Sequence, residues 1–255
     1  MRLFPLVLVL FFLLGCSSEF NLATGRQETL LFDTEKEINI GANVSKQFDE
    51  KFEINTDVDI NERVDRILEK IVSVCDRKEL VYTIKVINED EMNAVSLPGG
   101  YIYVFKGMMD KVANDDQLAG VIAHEVGHIT ARHGIKRLQS AYGYTLLQVL
   151  AVASRDANLA RGLNTAYLTA FFEYSQQDEF EADRLGVKYL KKAGYNPAEM
   201  VSMHKKIKEQ QQKEPMRQMS YWRTHPHLSE RISVTNQAVS GELNFKDYLN
   251  ITDSE

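Results

Sequence analysis

An apolar, helix-forming run in the middle of the chain reads Val121-Ile122-Ala123-His124-Glu125-Val126-Gly127-His128-Ile129. It contains the pattern H-E-x-x-H. His124 and His128 are one helical turn apart, so both imidazoles project from one face and can share a metal ion. Glu125 follows His124 by about 100° around the helix and can take a proton from a metal-bound water without binding the metal itself. This arrangement is typical of zinc hydrolases.

The residues around this pattern favour a helix with a buried face. Asn114 is a predicted N-cap, with Gln117 three residues later. The predicted buried face comprises Leu118, Val121, Ile122, Val126 and Ile129. Two histidines and a glutamate can also fall in this order by chance, but burying them without a metal or a partner would be costly. We therefore predict one Zn²⁺ per chain.

A second cluster, rich in carboxylates, reads Ser175-Gln176-Gln177-Asp178-Glu179-Phe180-Glu181-Ala182-Asp183. It lies in a predicted helix from about Thr165 to Ala193, on which Glu179 and Asp183 share a face and Glu181 points elsewhere. Two histidines and one glutamate are a standard ligand set for catalytic zinc, so Glu179 is the predicted third ligand. Asp183 can accept the other ring N–H of a ligating histidine. The alternative is a solvated acidic helix face.

The overall composition is that of an ordinary globular protein. The chain has 255 residues, of which 44% are hydrophobic and 26% are charged, and its net charge is −6. A nucleic-acid surface needs a basic face, and no cluster of lysine and arginine of that kind is present in the sequence. Nucleic acid is therefore not an expected partner.

The first residues are typical of a bacterial lipoprotein signal. Met1-Arg2 precedes an apolar run, Leu3 to Leu14, that is too short to span a bilayer, so residues 1–15 are a predicted signal peptide. The run ends at Gly15-Cys16, which resembles a lipobox, so Cys16 is the predicted lipidation site and residues 16–33 a polar tether. A core helix with an incidental cysteine is the alternative. The residue after Cys16 is serine, as in bacterial lipoproteins that are sent to the outer membrane. We therefore expect a lipid anchor on the periplasmic side, in the outer membrane.

Three short strands are predicted before the H-E-x-x-H helix, at residues 81–87, 94–97 and 101–105. A Pro98-Gly99-Gly100 turn joins the last two. An exposed edge of this sheet beside the metal would bind an extended peptide as an additional strand, which makes Gly99, Gly100 and Tyr101 candidate substrate-binding residues. The two glycines are equally consistent with a tight turn alone.

The remaining segments complete one predicted domain, residues 34–240, followed by an acidic tail, residues 241–255. Thr34 and Glu37 form a predicted capping box at the start of a helix. Cys75 lies on an apolar helical face and is predicted to be buried. Residues 138–164 are rich in alanine and leucine, and could be a mobile cover over the site or ordinary helical packing. His133, His204 and His227 are predicted surface residues.

Four motifs in this order resemble a known family of zinc metallopeptidases. They are Asn93-Ala94 with Pro98 to Val104, His124 to His128, Glu179 to Asp183, and Thr224-His225-Pro226 with Arg231. The family includes the CAAX prenyl proteases and HtpX-type membrane peptidases. Within that family the chain resembles the soluble, periplasmic lipoprotein or barrel-assembly-associated members, over about Thr34 to Val239.

The resemblance implies an α+β, mainly helical, zincin-like metalloprotease fold with a small β-sheet beside the H-E-x-x-H helix. By matching positions, His124, His128 and Glu179 would be zinc ligands and Glu125 the general base. Asp183 would stand behind the ligands. The resemblance also places His225 and Arg231 near the metal, where either could stabilise an oxyanion.

The expected function is zinc-dependent hydrolysis of peptide bonds, in quality control of misfolded envelope or outer-membrane proteins. Unfolded proteins are the expected substrates, and the outer-membrane assembly machinery is a candidate partner. Prenyl-protein processing is not expected, because the multiple transmembrane helices of the membrane members are not seen in the sequence. The alternative is a lipid-anchored chaperone-like or assembly factor with a latent metal site.

Overall fold

The computed structural model describes residues 17–141, 175–214 and 219–241. The strands are β1 (Ser17–Asn21), β2 (Arg26–Leu30), β3 (Thr83–Ile87), β4 (Ala94–Leu97) and β5 (Tyr101–Phe105). The helices span Thr34–Lys51, Val58–Val72, Lys106–Met109, Asp115–Thr130, Gln176–Ala193, Ala198–Lys213, Tyr221–Thr224 and Leu228–Ser240, with a 3-10 turn at Pro98–Gly100. A further helical stretch occupies residues 133–141. This mainly helical architecture with small sheets confirms the predicted α+β fold class.

Several predicted segments lie outside the described residues. They are the signal peptide (1–15), Cys16, residues 142–164 of the candidate cover, and the tail beyond residue 241. Among the helices that the structure describes, none combines the length and the apolar composition needed to cross a bilayer.

The three-stranded sheet has the order β3-β5-β4, with β5 parallel to β3 and antiparallel to β4. Alternate residues of β5 therefore face opposite sides. Ile102 and Val104 join the large core around the helix Asp115–Thr130, here called the HExxH helix. Tyr103 and Phe105 pack instead with Phe48 and Phe52 of the helix Thr34–Lys51. The sheet is thus a middle layer between one helix and the helical core.

This strand order corrects the predicted sheet edge. The strand that follows the Gly-Gly pair, β5, is central rather than exposed, and the edge beside the HExxH helix is β4. Sequence spacing could not reveal this, because β3 pairs with β5 by skipping β4, a pairing between strands that are not adjacent in the chain.

Gly99 and Gly100 lie against protein backbone. Both have positive φ angles, 79° and 105°. A Cβ on Gly99 would lie 2.9 Å from the Cα of Ile38, and one on Gly100 would lie 2.5 Å from the carbonyl oxygen of Val81. Only glycine fits such positions without strain. Of the two interpretations of this pair, the structure supports the tight, closely packed turn and not the approach of a peptide.

The predicted polar tether is wrong for residues 17–30, which form the antiparallel hairpin β1–β2. The hairpin packs against the end of the HExxH helix, where Asn21 Nδ2 donates to the Thr130 carbonyl oxygen over 3.1 Å. Lys136 Nζ donates to Glu28 Oε1 and to the Ala131 carbonyl, and Leu30 is buried. Contacts with residues from a distant part of the chain therefore hold this polar segment in a fixed position.

The helix Thr34–Lys51 begins one residue earlier than the predicted capping box requires. Asp33 is the N-cap, and its side chain accepts from the Lys36 N–H over 2.9 Å. Glu37 is buried and pairs with Arg77 through two contacts of 3.1 Å. The predicted roles of Thr34 and Glu37 are thus wrong, because a carboxylate one residue earlier takes the cap.

The HExxH helix is buried on every side from Gln117 to Thr130. Its predicted apolar face is confirmed, and Cys75 is buried as predicted. The helix Gln176–Ala193, here called the acidic helix, packs directly on it. A Cβ on Gly127 would lie 2.7 Å from the Ala182 carbonyl oxygen. This close approach brings the two motif-bearing helices together.

Candidate metal centre

The HExxH helix presents its two histidines side by side. Asn114 caps the helix as predicted, accepting from the Gln117 N–H over 2.9 Å. One turn separates His124 from His128, and their Nε2 atoms lie 3.0 Å apart. Both rings are buried. Local helix geometry alone therefore places two potential metal-binding nitrogens at one point.

The acidic helix brings a carboxylate to the same point. Ser175 and Asp178 form a capping box, so the helix begins at Gln176, later than the predicted start near Thr165. Glu179 follows in its first turn. The Glu179 Oε1 atom lies 3.3 Å from His128 Nε2, and Oε2 lies 3.5 Å from His124 Nε2.

A fourth side chain, His225, joins these three. It follows the short helix Tyr221–Thr224, and its ring stacks on Tyr221 with centroids 4.4 Å apart. Its Nδ1 lies 2.8 Å from Thr224 Oγ1. One potential ligand atom from each of His124, His128, Glu179 and His225 lies within 4.8 Å of the others. Four groups could therefore contribute to a metal site, one more than expected.

Glu125 lies next to this cluster. Ser96 on the edge strand β4 donates its hydroxyl to Glu125 Oε2 over 2.8 Å, and Glu125 Oε1 lies 3.5 Å from His225 Nε2. Burial raises the pKa of the Glu125 carboxyl to about 7. A carboxyl with such a pKa can both take up and release a proton near neutral pH.

Asp183 and Arg231 stand behind the candidate ligands. Asp183 Oδ1 lies 2.9 Å from His124 Nδ1, on the side of the ring away from the cluster. Arg231 donates to both Asp183 oxygens over 2.8 Å, and its Nη1 lies 2.7 Å from Glu179 Oε2. Despite burial, the charge of Arg231 lowers the pKa of both carboxyls. Its guanidinium is thus committed to two carboxylates rather than directed at a substrate.

The buried histidines have different protonation preferences. Burial lowers the pKa of His128 to about 3 and lowers that of His225 strongly, so both rings are neutral. Burial and Arg231 also act to lower the pKa of His124, but Asp183 and Glu179 outweigh them and raise it to about 9. A proton is therefore favoured on His124 when no metal ion is bound.

These features fit a zinc ion. Imidazole and carboxylate are standard zinc ligands. The oxygens Glu125 Oε1 and Glu179 Oε1 are buried and accept no hydrogen bond from the residues that the structure describes. A cation near both would compensate the cost of burying these carboxylates.

Two predicted surface histidines are buried instead. The Nδ1 atom of His133 lies 2.9 Å from the Nδ1 atom of His128. The Nε2 atom of His204 lies 3.1 Å from Arg231 Nη2. Apolar spacing could have revealed His204, because Met200, Met203 and Ile207 are buried on the same helix face. No comparable signal exists for His133. His227 is exposed, as predicted.

Comparison with known proteins places the chain in a family. Residues 59–239, which contain every residue of this site, match the profile of peptidase family M48. The mitochondrial metalloendopeptidase OMA1 of Schizosaccharomyces pombe is 28% identical over 172 residues, which cover 66% of this chain and 50% of that protein. The OMA1 protein of Saccharomyces cerevisiae is 31% identical over 158 residues, which cover 59% of this chain and 45% of that protein.

A bacterial relative is similar to the same extent. The beta-barrel assembly-enhancing protease of Escherichia coli is 30% identical over 151 residues, which cover 55% of this chain and 31% of that protein. The chain thus spans half or less of the length of these curated relatives. Because the family match extends over more than half of the chain and includes the buried cluster, the protein belongs to peptidase family M48.

Proposed function

We propose that this protein is a zinc-dependent endopeptidase. The observation that carries the proposal is the buried cluster of His124, His128, Glu179 and His225, with Glu125 beside it. His124, His128 and Glu179 would hold the zinc, and Asp183 would fix the ring of His124 from behind. Membership of a peptidase family supports the same conclusion.

Bound zinc would lower the pKa of water and polarise the carbonyl of a peptide bond. Because Ser96 holds Glu125 Oε2, the other oxygen, Oε1, is the atom to take the proton from the attacking water. The same oxygen would then pass that proton to the leaving amine. Arg231 would hold Glu179 and Asp183 in place, and His225, on the side of Glu125, would stabilise the oxyanion.

The metal assignment is tested by zinc content and proteolysis together. Purified protein should hold about one zinc per chain and cleave unfolded casein, and a chelator should abolish cleavage. His128→Ala should lose most of the zinc because one of three ligands is removed, whereas the exposed His227→Ala should retain it. Elemental analysis that finds full zinc in His128→Ala would show that the ligand assignment is wrong.

We propose that the substrate backbone binds along β4. The Phe105 N–H donates to the Asn93 carbonyl, and alternate residues of an antiparallel pair share hydrogen bonds, so the Ser96 N–H and C=O point away from β5. A small recess beside this edge is lined by Ser96, Leu97, Pro98 and His128. An extended peptide paired with this edge would reach the metal centre whatever its side chains are.

Ser96→Pro should strongly lower the turnover of two unrelated unfolded proteins, because proline removes the outward N–H. Ser96→Ala is the matched control, since it removes only the hydroxyl that contacts Glu125. The measurement is the cleavage rate with zinc content and melting temperature determined in parallel. Equal rates for the two variants, at equal zinc content, would exclude β4 as the peptide-binding edge.

We propose further that the protein acts on misfolded proteins of the bacterial envelope and is anchored there through a lipid on Cys16. The support is the lipobox-like Leu14-Gly15-Cys16 and the name of the Escherichia coli relative, a beta-barrel assembly-enhancing protease. Cys16→Ser should therefore release the protein from membranes or leave its signal uncleaved. A processed Cys16→Ser protein that stays with the membrane fraction in high salt would contradict the anchor.

The burial of the cluster favours one alternative, a latent metal site. All four potential ligands are at most 1% exposed, and His225 lies where a fourth ligand would stand. A fourth protein ligand would occupy the position that a catalytic zinc keeps for water. His225→Ala discriminates between the two functions: turnover should fall if His225 stabilises the oxyanion and rise if it closes the site.

A further inference from the structure

The backbone turns sharply just after the HExxH helix. The helix ends at Thr130, and Arg132 adopts a left-handed conformation with φ of 59°. This conformation is uncommon for a residue with a side chain and is maintained only by its surroundings. Arg132 Nη1 lies 2.7 Å from Glu19 Oε2, and Nη2 donates to Thr34 Oγ1 over 3.3 Å. The turn redirects the chain so that His133 points back at the metal centre.

His133 makes its inner contact with a candidate zinc ligand. His128 directs Nε2 at His124 and Glu179, while its Nδ1 lies 2.9 Å from His133 Nδ1. A nitrogen that binds a metal carries no proton, so a neutral His128 bound through Nε2 must carry its proton on Nδ1. His128 Nδ1 therefore donates, and His133 Nδ1 accepts.

The outer side of His133 completes the chain of contacts. Because its Nδ1 accepts, a neutral His133 carries its proton on Nε2. That nitrogen lies 3.2 Å from Glu181 Oε2 and 3.5 Å from Asp178 Oδ1. His133 is 3% exposed, and burial holds the ring in this orientation. The His128 Nδ1–H thus faces an acceptor on His133, and the His133 Nε2–H faces an acceptor on Glu181.

We propose that His133 is a positioning residue that fixes the Nδ1-protonated tautomer and the orientation of His128, with Glu181 as its own acceptor. The proposal rests on the proposed function, because it takes His128 as a zinc ligand. His133 serves His128 as Asp183 serves His124. Buried partners of this kind raise metal affinity by orienting the ligand before the metal arrives.

The test measures zinc affinity by competition with a chelator. His133→Phe should bind zinc about 10 to 100 times more weakly than the parent, since it removes the acceptor. His133→Asn should restore part of the affinity, because its side-chain oxygen can occupy the place of Nδ1 and accept from His128. Glu181→Leu should weaken binding less than His133→Phe, and it keeps the buried ring if His133→Phe fails to fold.

A spectroscopic measurement separates positioning from packing. In the metal-free parent, the ¹⁵N shifts of His128 should report a proton on Nδ1, and His133→Phe should lose this preference while His133→Asn keeps it. If His128→Ala loses zinc but His133→Phe and Glu181→Leu both bind zinc as tightly as the parent, the positioning role of His133 is overturned and the ligand assignment stands. Full zinc in His128→Ala would instead overturn the ligand assignment. Equal weakening in His133→Phe and His133→Asn would also overturn the proposal, because it indicates packing only.

Discussion

Glu125→Gln is expected to lower the rate of peptide cleavage by a factor of about 100 to 10,000, the usual contribution of a general base. Glutamine has nearly the same shape and can still accept from Ser96, but it cannot take a proton from water. Zinc content should stay at that of the parent, because Glu125 is not a proposed ligand. The measurement is kcat for casein cleavage together with elemental analysis.

The free energy of unfolding of the same variant, measured against pH, provides a control that tests whether the Glu125 carboxyl is buried. Burial raises the pKa of Glu125 from 4.5 to about 7, so the folded metal-free protein binds its proton more tightly than the unfolded chain. Stability of the parent is then lost as pH rises from 4.5 through 7. Metal-free Glu125→Gln should be more stable than the parent above pH 7, by on the order of 3 kcal/mol, and equal to it below pH 4.5. Equal stability of the variant and the parent at about pH 8 would contradict the burial of the Glu125 carboxyl. A cleavage rate equal to that of the parent would contradict the role of Glu125 as general base.

Arg231→Met should destabilise the metal-free protein by about 3 to 5 kcal/mol at neutral pH, the usual cost of leaving buried charges without their partner. Arg231 is fully buried and lies within 2.8 Å of both Asp183 and Glu179. Methionine fills similar space without charge, so the effect reports the lost ion pairs rather than a cavity. The measurement is the free energy of unfolding in denaturant.

Arg63→Met is the matched control for this substitution. Arg63 pairs with Asp115 at 2.7 Å, but both side chains are about a third or more exposed. Solvent screens such a pair, and its removal should cost about 1 kcal/mol or less. A cost for Arg231→Met no larger than that for Arg63→Met would contradict the role of Arg231 in holding the two carboxylates.

The parts of the site that depend on local helix geometry could be predicted from the sequence. His124 and His128 meet because one turn separates them, and Glu179 and Asp183 share a face for the same reason. The helix cap at Asn114 is also local and is predicted correctly. The capping box at Ser175 is equally local, but the predicted helix start near Thr165 misses it. These features need only the backbone hydrogen bonds of one helix, so they are independent of the rest of the fold.

The parts that depend on contacts between distant segments could not be predicted in this way. The position of β4 at the sheet edge depends on a pairing between β3 and β5 that skips a strand. His133 reaches His128 only because Arg132 takes a left-handed backbone conformation, which its residue type does not suggest. The same reason applies to the hairpin β1–β2, whose polar residues find partners about 100 positions later in the chain.

The contact between Gly127 and Ala182 has a consequence for reading other sequences. Two of the proposed ligands come from one helix and the third from its neighbour, so the distance between the helix axes determines whether all three can meet. A Cβ at position 127 would lie 2.7 Å from the Ala182 carbonyl and would force the axes apart. In this architecture a bulky residue at the position of Gly127 would move the carboxylate of the third proposed ligand away from the two histidines. The informative pattern in this architecture is therefore H-E-x-G-H, in which glycine sets the helix spacing.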